Sequence, residues 1–250
     1  MSLHQLRVLV IQPETQDDAA SLGRHLRLRG VPTDLCEVEA GAEVPLDASP
    51  WHAVAVLGGT MSVHDDLPFL PRVRALLRDA VARDIPVLGH CLGGQLLAQA
   101  LGGRVVDNPN PEIGWWPVQH NGSALARDWL GEEALMMLFH WHFQTFELPA
   151  QAQLLARSAA CRHQAFALGP HLGMQFHVEV DAAKLARWCQ EAPPSGSPLA
   201  ALPSVQTPER MRADTWVHLD ACQRLATRLY DRWLALARAR LVLGRLTART

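Results

Sequence analysis

A chain of 250 residues that is 48% hydrophobic and 19% charged has enough apolar material for one sizeable folded core plus an appendage. Its formal charge of −2 supplies neither a basic field for nucleic acid nor an acidic tail, and no apolar run is long enough to span a bilayer, so neither nucleic acid nor membrane is an expected partner. Five cysteines, Cys36, Cys91, Cys161, Cys189 and Cys222, odd in number and widely spaced, suggest neither a disulfide framework nor a zinc site and fit a reducing cytoplasm.

The apolar run 6–11 reads as a buried parallel strand and is too short for a secretory h-region. Asp17 and Asp18 are placed to cap a helix carrying Leu22 and Leu26, which Gly30 and Pro32 end. A second strand is predicted over 31–38, a loop over 45–50 and a third strand over 53–57. That third strand stops at Gly58-Gly59, a turn that either faces a ligand or merely joins strand to loop. His64-Asp65-Asp66 is an exposed polar loop that needs no metal to explain it, and no metal site is expected. Pro71 opens a helix reaching Arg83, with Val73, Leu76, Leu77 and Ala80 turned inward.

The stretch 86–97 carries the chemistry. A short buried strand runs straight into a helix in which Leu92, Leu96, Leu97, Ala100 and Leu101 recur at helical spacing, with Gly102-Gly103 as its stop. Cys91 stands at the corner. Gly89 and Gly93, two residues away on either side, remove side chains where a sharp strand-to-helix turn would crowd them, which is the nucleophile-elbow pattern with sulfur in place of oxygen. The unpaired N–H groups and positive dipole end of a helix start suit an anionic nucleophile there. A buried structural cysteine is the plainer alternative, but it leaves the two glycines unexplained. Strand and helix alternate up to this point, which predicts a parallel sheet with its functional edge beyond the strands' C-terminal ends. Gly58-Gly59 and Cys91 both fall at such ends.

From Arg104 onward shorter strands are predicted over 104–106, 115–119, 135–141, 153–156, 164–168 and 172–177, parted by turns at Asn108-Pro109, Asn121-Gly122, Leu148-Pro149 and Gly169-Pro170. They read as an antiparallel extension of the sheet. His140 and His142, two apart, are taken as the outward, functional face of one strand rather than a metal pair, and Trp115, Trp116 and Trp141 as packing residues. His177 and Glu179, also two apart, point to one side of the last strand, where an imidazole and the carboxylate that orients it could serve Cys91 in triad fashion. A helix over 181–190 precedes a Pro/Ser-rich breaker at 193–198. One long helix or a pair then covers 208–240, with Leu219, Cys222, Leu225, Ala226, Leu229, Trp233, Leu236 and Ala237 as an apolar stripe that packs back on the domain or meets a partner helix. The basic end, 238–250, is expected to fray.

The ordered set Gly89-x-Cys91-x-Gly93-x-Gln95 followed by His177-x-Glu179 resembles the class I glutamine amidotransferases over roughly residues 6–190. Further pieces, 57–63 (Leu-Gly-Gly-Thr-Met-Ser-Val), 111–115 (Pro-Glu-Ile-Gly-Trp), Trp141-His142 with Phe146-x-Leu148-Pro149, and Gln175-Phe176-His177, are similar to stand-alone relatives of the glutaminase part of GMP synthase. The resemblance implies an α/β fold with an open, mostly parallel, flavodoxin-like sheet flanked by helices. It divides the chain into an amidotransferase domain, 1–190, a Pro/Ser-rich loop, 191–207, and a C-terminal helical extension, 208–250. It further implies a triad of Cys91, His177 and Glu179, an oxyanion site from the N–H groups of Gly59 and Leu92, substrate contacts from Gly58, Gln95 and His142, and no cofactor. Four positions depart from the family pattern. Val178 stands where proline is usual, Thr60 where proline or serine is usual, and Phe143-Gln144 where a glycine and an acidic residue are common.

The implied reaction is hydrolysis of the side-chain amide of glutamine, through a cysteinyl thioester, to glutamate and ammonia. The sequence has no Gly-Lys-Ser/Thr phosphate loop and no Ser-Gly-Gly pyrophosphatase signature to use that ammonia. Three roles therefore stay open: a subunit delivering ammonia to a synthetase partner, a free-standing hydrolase of another γ-glutamyl amide or peptide, and a regulatory or binding protein that kept the fold.

Overall fold

The computed structural model describes residues 3–247. In chain order its main elements are β1 (Val8–Gln12), α1 (Ala20–Leu28), β2 (Thr33–Glu37), β3 (Ala53–Val56), α2 (Phe69–Ala82), β4 (Val87–His90), α3 (Leu92–Ala100), β5 (Val105–His120), α4 (Ala124–Leu130), β6 (Leu135–Phe146), β7 (Gln153–Arg157), β8 (Ala165–Leu168), β9 (His171–Met174), α5 (Ala182–Glu191) and α6 (Pro208–Thr247). These strands form a nine-stranded sheet in the order β2-β1-β3-β4-β9-β8-β7-β5-β6. Pairing is parallel from β2 to β9 and antiparallel from β9 to β6. The expected open α/β sheet with an antiparallel extension is what forms.

The first strand shows why helices cover both faces. Val8 and Val10 join one buried cluster and Leu9 and Ile11 the other, the alternation a pleated strand imposes. The first cluster takes in Leu22 and Leu26 of α1, Trp129 of α4, Leu185 of α5 and most of the buried residues of α6. On the opposite face Leu76 and Leu77 of α2 and Leu96 and Leu97 of α3 close the core.

Several local expectations are corrected. Asp17 and Asp18 do not cap α1: the position before the helix is Ala19, which makes no side-chain cap, and Asp17 is drawn instead into an ion pair with Lys184. Helix α2 begins at Phe69, so Pro71 lies inside its first turn. The two strands and the Asn108-Pro109 turn expected between 104 and 119 are a single strand, β5, whose pairing with β6 shifts register between Asp107 and Glu112. Extra residues bulge out at that shift, where the missing N–H groups of Pro109 and Pro111 cost no ladder bond. The short helix α4 is absent from the predicted elements, although Ser123 caps it by accepting from the Ala126 N–H and Gly131 ends it at φ +96°. The last predicted strand stops early: β9 ends at Met174, and residues 175–180 continue as irregular, bent chain with one bridge, His177 to Phe139.

The C-terminal region forms one helix of 40 residues, about 60 Å long. The predicted stripe is not free to meet a partner helix. Cys222, Ala226, Leu229, Trp233 and Ala237 are buried in the sheet's own core, joined there by Met211, Tyr230 and Leu234. Trp233 donates from Nε1 to the carbonyl of Pro86 at 3.1 Å, tying α6 to the start of β4. The basic end expected to fray is helical to Thr247, and its last residues, 248–250, lie outside the described residues. Among the described residues no helix is long and apolar enough to cross a membrane.

Candidate active site

Strand β4 is buried along its whole length between β3 and β9, and the chain turns at its end directly into α3. Cys91 makes the turn at φ 46°, ψ −106°, a conformation that strains any residue bearing a Cβ. Two backbone bonds hold it there: the Cys91 N–H donates to Met174 O at 2.8 Å, and Cys91 O accepts from the Gln95 N–H at 3.0 Å. The glycines are explained by backbone proximity. A Cβ on Gly89 would stand 2.5 Å from Gly93 O, one on Gly93 2.1 Å from Val56 O, and one on Gly94 2.5 Å from Met174 O. The helix start can nest between β3 and β9 only because these positions have no side chains.

His177 reaches the same corner from the irregular chain after β9. Its N–H donates to Phe139 O at 2.8 Å, and its Nδ1 lies 2.6 Å from Glu179 Oε1. The spacing of two residues thus meets its purpose without a regular strand. The Cys91 sulfur faces the imidazole across the cavity corner and donates to Trp141 O at 3.7 Å, and the Trp188 ring stands edge-on against the imidazole with centroids 4.8 Å apart. Helix α1 anchors this segment, since the Ser21 N–H donates to Glu179 O and Ser21 Oγ to Val178 O. Glu179 is fully buried.

Burial opposes a charged imidazole at His177, but the Glu179 carboxylate and the facing Cys91 sulfur more than offset it and raise the group to about 10. For Glu179 burial again works against the charge. The attraction of His177, then of His90 and Lys184, holds its carboxyl well below the usual range. His90 itself, on β4 with Nε2 3.9 Å from Glu179 Oε2, is pushed down by burial.

A cavity of about 660 Å³ opens beside the sulfur, lined in part by Gly59, Cys91, Leu92, Gln95, His142 and His177. Gln95 and His142 are both engaged with its wall. Gln144 O accepts from Gln95 Nε2 at 3.2 Å, from Gln175 Nε2 at 3.2 Å and lies 3.1 Å from His142 Nδ1. Gly58 is placed differently from the expectation of a substrate contact. It lies behind the cavity against the imidazole, where a Cβ would come within 3.0 Å of His177 Cε1. Glu14, Asp17, Glu39, Asp107 and Glu191 also line the cavity, and among the described residues no lysine or arginine does.

His140 and His142 do not form an outward face. Both are buried against Glu112, whose Oε2 lies 3.0 Å from His142 Nε2 and accepts from Gln164 Nε2 at 2.5 Å. These three residues could together hold a metal ion, their ligand atoms all lying within 4.8 Å of one another. Glu112 and His142 are instead taken up by each other and by Gln164 and Gln144, a buried hydrogen-bond network, while neither ring nitrogen of His140 has a hydrogen-bond partner among the described residues and its Nδ1 stands 3.9 Å from Glu112 Oε2. His64, in the loop discounted as a metal site, has its Nε2 3.1 Å from Val105 O, and Asp65 accepts from the Ser62 N–H. Trp115 is core as expected, while Trp141 is both a packing partner of Trp188 and part of the cavity wall.

A family model described as glutamine amidotransferase class-I matches residues 19–186. The chain belongs to the class I glutamine amidotransferase family. It is 29% identical over 181 residues to the glutamine amidotransferase-like protein YfeJ of Salmonella typhimurium, covering 70% of this chain and 76% of that one. A glutamine-hydrolysing GMP synthase of Aliivibrio fischeri is 29% identical over 187 residues, which are 73% of this chain but only 34% of that synthase. Among solved structures, a glutamine amidotransferase from Methylobacillus flagellatus superposes with a TM-score of 0.88 at 36% identity, covering 92% of this chain and 94% of that one.

Asp17, Lys184 and Trp188 stand at or behind the site without a pattern in the sequence that marks them for it, whereas Glu112 lies in the family-like piece 111–115 and Gln144 in the departing pair Phe143-Gln144. Lys184 and Trp188 arrive on α5, which reads as an ordinary amphipathic helix. The one available signal is compositional: Lys184 is the chain's only lysine.

Proposed function

We propose that this amidotransferase hydrolyses the side-chain amide of glutamine, with Cys91 as nucleophile, His177 as acid and base, and Glu179 as the group that orients His177. The observation that carries this reading is a strained cysteine at a helix start, sharing a cavity wall with an imidazole whose Nδ1 lies 2.6 Å from a buried carboxylate. The sulfur attacks the amide carbon while His177 holds the proton. The oxyanion that forms is taken by the backbone N–H groups of Gly59 and Leu92, both on the cavity wall. His177 gives its proton to the departing nitrogen, the C–N bond breaks and ammonia leaves a glutamyl thioester. Water then loses a proton to His177 and attacks the thioester, and cleavage of the C–S bond frees glutamate and restores the starting pair. The carboxylates of the lining receive the substrate's α-ammonium, with Gln95 and His142 as further contacts and Gly58 as a support behind His177. Five free cysteines suit a reducing cytoplasm.

Two features favour a second reading, hydrolysis of a larger γ-glutamyl amide. The cavity is in the range that holds drug-sized ligands, more than glutamine requires, and its five carboxylates suit a cationic amine as leaving group. The similarity to a synthase about twice as long favours delivery of ammonia to a separate synthetase. The first test is labelling with a diazoketone analogue of glutamine, resolved by peptide mass. The expected result is one adduct, on Cys91, suppressed by glutamine. An adduct spread evenly over the five cysteines, or none, would overturn the reading.

A further inference from the structure

Helix α5 turns two residues four apart, Lys184 and Trp188, toward the triad. Lys184 is fully buried, its Nζ 2.7 Å from Asp17 Oδ1, 3.9 Å from Glu179 Oε1 and 5.2 Å from the centre of the Trp188 ring. Asp17 in turn lines the cavity, and its Oδ2 shares the space over Gly58 with the His177 ring and the Cys91 Cβ. One ammonium therefore stands between a carboxylate of the cavity wall and the carboxylate of the triad. An isolated buried lysine is costly, and an ordinary core position would carry methionine or leucine.

We infer that Lys184 is a positioning residue: its ammonium balances Asp17 against Glu179, holding the triad carboxylate ionised and aimed at His177. The inference rests on the triad reading above. The other groups facing Glu179 cannot substitute for this charge. His90 from β4 stands 3.9 Å from Glu179, but burial pushes its imidazole toward the neutral form, burial likewise pushes Cys222 and Tyr230 from α6 up toward their protonated forms, and His177 is the partner being oriented. Without Lys184, two carboxylates would crowd His177 with no fixed counter-charge behind them. Glu179 would then take up a proton more readily, and His177 would lose the carboxylate that favours its protonated form beside Cys91.

The test reads Cys91 directly, with no need of turnover. Cys91 alkylation by iodoacetamide is followed by peptide mass across the acid-to-neutral range in the parent, in Lys184→Met, and in Asp17→Asn with Lys184→Met. The single variant removes the charge while keeping most of the volume. The double variant removes both charges of the pair and restores the balance. The acid limb of the alkylation profile is expected to move up by about one pH unit or more in Lys184→Met and to return at least halfway in the double variant. A purely structural lysine would leave the limb in place or make the double variant worse than the single, and either result overturns the inference. If Lys184→Met does not fold, selective ¹⁵N-lysine labelling of the parent gives a single side-chain signal, since the chain has one lysine. A slowly exchanging ammonium whose shift changes when Cys91 is alkylated supports the inference, and a freely exchanging one indifferent to Cys91 overturns it. A shifted limb in a chain that releases nothing from glutamine would sink the hydrolase reading alone. Turnover with an unshifted limb would sink this one alone.

Discussion

Replacing Gly93 by alanine puts the elbow itself to the test. The added Cβ would lie 2.1 Å from Val56 O and 2.7 Å from Val56 C, where ordinary contact requires more than 3 Å. The obstacle is backbone of a central strand, which no rotamer change can move, so the first turn of α3 must withdraw by roughly 1 Å. Overpacking of this kind costs about 1–3 kcal/mol, and contact with main chain places it at the upper end. For a chain of this size about 3 kcal/mol lowers the melting temperature by roughly 6–12 °C. The same displacement carries Cys91 and the Leu92 N–H away from their partners, and a shift of about 1 Å at a reacting group can cost on the order of a hundredfold in rate. Gly102→Ala is the control, because Gly102 has φ +85° and nothing within 4 Å of its missing Cβ. It suffers the backbone strain alone, about 1 kcal/mol. Thermal unfolding and Cys91 alkylation measured on both variants decide the matter. If Gly93→Ala loses no more stability than Gly102→Ala, the steric account of the elbow is wrong.

Three further outcomes are expected. His177, raised to about 10 in the fold from an ordinary 6.5, adds stability that is complete below about pH 6.5 and lost as pH rises toward 10. Urea unfolding should show that decline in the parent and a flatter profile in Glu179→Gln, and parallel profiles would deny the His177–Glu179 coupling. Trp233→Ala removes a fully buried ring and the donor to Pro86 O, and should cost about 3–5 kcal/mol in urea unfolding. A loss under about 1 kcal/mol would mean that α6 is peripheral to the core. Glu112→Ala strips His142 and Gln164 of their shared acceptor and should also cost about 3–5 kcal/mol. A neutral result would show that the buried cluster is not a structural network.

Much of this arrangement is legible in the sequence, because the parts that carry it are local. The parallel strands are short apolar runs, and the elbow is announced by glycines whose absent side chains are each required by a backbone atom within 2.5 Å. His177 and Glu179 are a pair by spacing alone, and a bonded pair forms even though the strand expected to hold them ends at Met174. What stayed hidden depends on contacts between distant segments. Asp17 looks like a helix cap until Lys184 arrives from 167 positions later in the chain to claim it. His140 and His142 look outward until Glu112, thirty residues earlier than His142, is brought beneath them by the β5–β6 register. A strand through Pro109 and Pro111 contradicts local preference, and only the bulge opposite β6 makes room for it.

The central claim, that Cys91 opens a γ-glutamyl amide, is met most directly by measuring ammonia and glutamate release from glutamine by the purified chain. The assay runs beside Cys91→Ala and a panel of γ-glutamyl amides that includes cationic amines. Release by the parent is expected, on glutamine or on one of the larger amides, with a loss on the order of 10⁴-fold in Cys91→Ala. Which compound turns over fastest separates the glutaminase from the wider hydrolase. Release that persists undiminished in Cys91→Ala would contradict the account.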